Sequence, residues 1–130
     1  MAHNIKAAVA DMRESILGLS WAKKVLLEDV ETSAPGQVTI VPSSVDEELR
    51  FGDKKITYTY SVKMYANAKD TDPATVQERC RDINNCLGID RKRGGNALGT
   101  ITSEWSDETN EGRNGVVMVS EPQIQTIESC

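Results

Sequence analysis

Imidazoles, phenylalanines and paired thiols are scarce in this chain, and each scarcity closes off a kind of chemistry. The one histidine among 130 residues, His3, falls in an N-terminal stretch expected to fray, so no held base is expected beside a Ser or Cys nucleophile. Cys80, Cys86 and Cys130 include no close pair, and no histidine pair accompanies them, so zinc-ligand spacing is absent. Carboxylates are plentiful but lie in polar runs, without the apolar setting that tunes one as an acid. Asp107, Glu108, Glu111 and Gly112 do not have the spacing of an EF-hand. Gly94, Gly95 and Gly99 precede an expected strand and lack the following lysine of a phosphate loop, so they read as a flexible connection. The expectation is a protein that is not an enzyme, with no catalytic residue, no cofactor and no metal.

Long apolar runs are missing too. No stretch approaches the length of a bilayer span, and no basic segment followed by an apolar core opens the chain. Folding in a cytoplasm, with no membrane partner, is expected. The net charge of −5 argues against a generic nucleic-acid binder, whose affinity comes from clustered Lys and Arg. The apolar share of 38%, against about 45–50% for globular domains counted with glycine, leaves a modest core that burial against other subunits would help. One compact domain over residues 1–130 is expected, since a chain of this length buries roughly two thirds of its unfolded surface.

What is present is periodicity. From Lys54 to Asn67, Ile56, Tyr58, Tyr60, Val62 and Met64 alternate with Thr57, Thr59, Ser61, Lys63 and Tyr65, which predicts a long strand with one covered face. The cover comes next: Asp72 as a cap, Pro73 in the first turn, and Val76, Cys80, Ile83 and Leu87 at helical spacing, with Gly88 as the stop. A first helix is predicted from Asn4 to Leu17, carrying Ile5, Val9, Met12 and Ile16 on one side and ending at a left-handed Gly18. Short strands are predicted at 24–30 and at 37–41, the second ended by Pro42. Residues 90–96 form a basic, glycine-rich loop. Residues 97–105 and 116–120 form a long hairpin, and 123–127 a final edge strand after Pro122, where a proline is tolerated. This order predicts an α+β domain, a mainly antiparallel sheet with two helices packed on one side.

The cysteines are odd in number, so at least one thiol stays free or pairs with another molecule. Six residues of helix would set Cys80 and Cys86 about 120° apart around the axis, which prevents a bridge between them. Cys80 reads as a small buried hydrophobe.

The leading helix, the apolar VTIVP, the long strand KKITYTYSVKMYAN, the capped helix DPATVQERCRDINNCL and the closing hairpin together resemble the tail terminator, or tail completion, proteins of tailed bacteriophages. That resemblance implies a structural virion protein at the neck or top of the tail. Six copies would form a ring that caps the tail tube, ends its polymerisation and joins it to the head connector. Its partners would be further copies of itself, the tail tube protein, the head–tail connector or neck protein, and the sheath protein where there is one. Genome DNA would pass through the lumen without specific binding. The resemblance further implies subunit contacts at Arg91, Lys92 and Arg93 and at a hairpin tip around Asp107, Glu108, Glu111 and Arg113. Cysteines lie outside the family pattern, so Cys86 and Cys130 are candidates for an added disulfide between neighbours. Alternatives are a head-completion or neck protein one layer higher, and a small host enzyme or ligand-binding domain.

Overall fold

A computed structural model describes residues 3–28, 36–67, 72–108 and 115–129 of the chain. In order these form α1 (Ile5–Leu17), β1 (Lys24–Leu26), β2 (Gln37–Arg50), β3 (Asp53–Asn67), α2 (Pro73–Ile89), β4 (Gly99–Ile101), β5 (Ser106–Asp107), β6 (Gly115–Ser120) and β7 (Gln123–Ser129). The domain is α+β, with a mostly antiparallel sheet; β1 runs parallel to β2. Both helices pack on the same sheet face. Ala8, Met12 and Ile16 of α1 and Val76, Cys80, Ile83 and Leu87 of α2 join Val38, Ile40, Tyr60, Val62, Met64 and Ile124 in one core. The covered face of β3 is the one its alternation predicts.

β3 organises the sheet. β2 lies along one edge from Met64 to Asp53. Along the other edge β6 pairs with Val62 to Asn67 and β7 with Asp53 to Thr59, in a register that does not shift between them. β6 and β7 are therefore two halves of one strand interrupted at Glu121–Pro122. Tyr60 shows why: its N–H donates to Pro122 O at 3.0 Å, and a proline has no N–H to return. β4 and β5 are likewise two halves of an outer strand, β4 on β7 and β5 on β6, with residues 102–105 between them. Ser103 fills that gap, accepting from Glu121 N at 2.8 Å and lying 2.9 Å from Ser120 Oγ. The expected hairpin of 97–105 with 116–120 is therefore corrected: β4, within the expected outgoing strand, pairs with β7, only Ser106–Asp107 of the expected connection pairs with β6, and the strand after Pro122 is interior, between β3 and β4, instead of an edge.

The second proline also departs from expectation. β2 does not stop at Pro42; it continues to Arg50 after an irregularity between Pro42 and Ser44. β1 ends at Leu26, opposite Thr39, so among the described residues Pro42 lies where β2 has become an edge and its missing N–H breaks no ladder. Beyond it β2, the turn at Phe51–Gly52 and the start of β3 make a hairpin arm whose β2 side chains from Pro42 to Leu49 are exposed.

Both helices start as predicted. Asn4 Oδ1 accepts from Ala7 N, and Asp72 Oδ1 from Thr75 N at 2.9 Å. The Thr75 N–H holds the Asp72 carboxyl below its usual range. α1 ends at Leu17 with Gly18 as its cap, as predicted, but Gly18 is right-handed, at φ −69°, and α2 does not stop at Gly88 but runs through it to Ile89. The end of α2 is closed by a side chain: Arg93 Nη2 donates to Leu87 O at 2.7 Å and to Asp90 O, carbonyls a helix terminus would leave orphaned. Two indoles pin the helix from outside. Trp21 Nε1 donates to Asp82 at 3.1 Å, with Arg79 over its ring at 5.4 Å, and Trp105 Nε1 donates to Asn84 at 3.0 Å. His3, expected to be loose, accepts at Nδ1 from Ile127 N at 2.9 Å and so caps the edge of β7 beyond β4.

Arg93 is 0% exposed, and its Nη1 sits 3.1 Å from Asp11 Oδ1 and 3.3 Å from Ser15 Oγ of α1. The Asp11 contact is ionic, since Oδ1 accepts no hydrogen bond, and Arg93 Nε is left without a partner. A buried guanidinium withdrawn from this set strands two carbonyls and a carboxylate. Arg93→Ala is expected to cost about 2–4 kcal/mol in urea unfolding, at the low end for a buried pair because the Asp11 side chain keeps 37% exposure. Arg91→Ala, two residues away on the surface, should stay within about 0.5 kcal/mol.

Candidate interaction surface

The basic run splits. Arg91 and Lys92 are exposed, but Arg93, expected to face outward with them, is enclosed by its own chain and is not available to a neighbour. The loop that carries them is also tied down, contrary to the flexible connection expected. Arg91 O accepts from Thr100 Oγ1 at 2.7 Å, Lys92 O from Gly95 N and Ala97 N, and Asp90 Oδ2 from Gly94 N at 2.7 Å. Arg93 itself takes φ 51°, followed by Gly94 at 69° and Gly95 at 88°. The two glycines are needed there, because L side chains resist that region. With the backbone held and Arg93 turned in, the loop presents Ile89 (85% exposed), Arg91, Lys92 and Leu98 to solvent.

Asp107 ends the short β5 and Glu108 follows it, both exposed; Glu108 N donates to Val117 O at 2.8 Å. Glu111 and Arg113 lie outside the described residues, as does Cys130. Cys86 is half-buried on α2 and its thiol donates to Ile83 O at 3.2 Å. Burial pushes that thiol up from its ordinary value, and it pushes Cys80, deeper in the core, up to about 11. A cross-link from Cys86 to a neighbour's Cys130 would have to break the Ile83 bond and form from a thiol that resists ionisation.

A shallow polar depression of about 540 Å³ lies between β5 and β6, lined among others by Ser103, Glu104, Glu108, Ser120 and Glu121. The hydroxyls of Ser103 and Ser120 bond to each other and to backbone. His3 sits at the Ile127 end of β7, about seven residues or roughly 23 Å of strand from Ser120, so the imidazole and the serines are not brought together. Among the described residues no three His, Cys, Asp or Glu side chains are grouped to hold a metal ion, and no helix is long and apolar enough to cross a membrane.

The feature that sequence reading missed is the arm. Val45 and Leu49 stand on the same face as their cross-strand neighbours Tyr58 and Lys54, beyond the reach of the helices. Phe51, the chain's one phenylalanine, is 106% exposed at its tip. Glu47 shares that face and reaches Lys54 at 3.6 Å, while Asp46 and Glu48 stand on the other face. The spacing of Val45, Leu49 and Phe51 is visible in the sequence, but a strand expected to end at Pro42 leaves them outside it. No family model matches the chain, and no curated protein matches it at a significant level.

The buried acids give a stability profile. Burial raises Cys80 from 9.0 to about 11, and burial together with the neighbouring Tyr58 raises Tyr60 from 10.0 to about 12. The folded state therefore holds protons that the unfolded chain releases, so stability is full below about pH 9 and falls as pH rises towards 11–12. Urea titrations across that range should show the decline. In the native Cys130→Ser chain at pH 8, Cys80 should resist alkylation until denaturant is added, with Cys86 reacting slowly.

Proposed function

We propose that this chain is a structural subunit of a phage neck or tail, a tail terminator that closes into a ring on the tail tube, stops its growth and presents a joining surface to the head connector. The observation that carries the reading is the arm, which exposes Val45, Leu49 and Phe51 together and whose β2 edge has no partner strand beyond Thr39 among the described residues. An edge of that kind invites pairing with another chain, and a solitary molecule gains nothing from exposing it. The element order and the resemblance drawn from it point to the same class.

The energetics favour a ring. Burying three such side chains is worth about 5–8 kcal/mol gross, which is no more than the cost of immobilising two proteins against each other. One such contact is weak. A closed ring gives every subunit two of them, and a heterologous interface closes only when its rotation does. Ring closure then ends assembly by geometry, with no reactive group involved. On this reading the net charge of −5 suits a conduit, because carboxylates repel the phosphates of DNA passing through.

Negative-stain images of particles lacking this protein are expected to show overlong tails. Tails of normal length detached from heads would assign it instead to the head-completion layer.

A further inference from the structure

Two exposed patches of opposite charge lie at opposite edges of the same sheet. Asp46 of β2 pairs with Thr57 of β3, Thr57 with Gln125 of β7, and Gln125 with Gly99 of β4, so one cross-strand row runs from the arm to the start of β4. At one end of this row stand Val45, Leu49 and Phe51 with Asp46 and Glu47. At the other end stand Ile89 and Leu98 with Arg91 and Lys92. Three strand spacings, roughly 14 Å, separate the two edges, so the patches cannot meet within one chain.

We infer that the acidic, apolar arm of one copy docks on the basic, apolar segment 89–98 of the next. This rests on the ring reading above and names the surfaces that would make the ring. The levels match: Ser44 is in line with Ile101 and Asp46 with Gly99, so residues 47–51 project past the start of β4 towards Leu98 and the loop. The directions match as well. β2 and β4 run antiparallel to each other across the sheet, so a second copy placed edge to edge in the same orientation meets the first in the pairing mode this sheet mostly uses. The receiving loop is pre-set by Thr100, Gly95, Ala97 and the inward Arg93, which lowers the ordering cost of docking. Because the two patches differ, the contact is head-to-tail, and each copy retains one free surface of each kind until the ring closes.

The test is a charge exchange followed by sedimentation. One variant carries Asp46→Lys with Glu47→Lys, and the other Arg91→Glu with Lys92→Glu; all four residues are exposed, and circular dichroism checks that both variants fold. The native chain should associate with rising concentration, less so at high salt. Each variant alone should associate about tenfold more weakly or not at all, and an equal mixture should recover association, because the reversed arm of one then meets the reversed loop of the other. Variants that assemble as well as the native chain, a mixture that fails to recover, or a native chain that stays monomeric would each overturn this interface. Overlong tails in particles lacking the protein would still uphold the terminator reading in any of those cases.

Discussion

The fold depends on β3 being paired along both edges for most of its length. Its fifteen residues take β2 on one side and β6 then β7 on the other, and the even-numbered side chains supply the surface on which both helices rest. Register along such a strand is strongly specified, because a slip of one residue would turn Ile56, Tyr60, Val62 and Met64 away from the core. Every irregularity in the sheet is a local answer to that fixed register. Pro122 interrupts its strand without shifting it, and Ser103 supplies the bonding that the interrupted outer strand does not.

Arg93 is the second constraint, and it reaches further than its neighbours in sequence. One guanidinium closes the end of α2 through Leu87 and Asp90, and faces Asp11 and Ser15 of α1. The helix pair and the loop into β4 are thereby set together. Taking a cation fully out of water is costly, and it is tolerated here because carbonyls, a hydroxyl and a carboxylate converge on it. The consequence for the surface is that Arg91 and Lys92 stand on a held backbone.

The same architecture leaves one part of the sheet uncovered. β1 accompanies only Gln37–Thr39 of the fourteen residues of β2, the helix-covered core takes Ile40 as well, and from Pro42 to Leu49 the strand carries apolar and acidic side chains into solvent. A molecule whose core is modest, and whose lone phenylalanine lies outside it, places its remaining apolar surface where a neighbour can cover it. That is the physical content of the proposed ring: shape and charge at two sheet edges.

Local pattern was legible where a residue's role depends on nearby residues. The alternation of β3, the Asp72 cap with Pro73, and the stripe of Val76, Cys80, Ile83 and Leu87 each satisfy a rule confined to one element, and the sequence by itself determined them along with the α+β class. Tertiary structure decided the rest. Pro42 ends a strand or continues it according to whether β1 still lies alongside; Pro122 interrupts an interior strand because Tyr60 stands opposite; Arg93 is a surface charge or a buried tie depending on whether Asp11, some eighty residues earlier, comes within reach. A missing N–H matters only if a partner was waiting for it, and a charge is exposed only if nothing closes over it. Both conditions are set by segments far away in the chain, which only the folded molecule brings together.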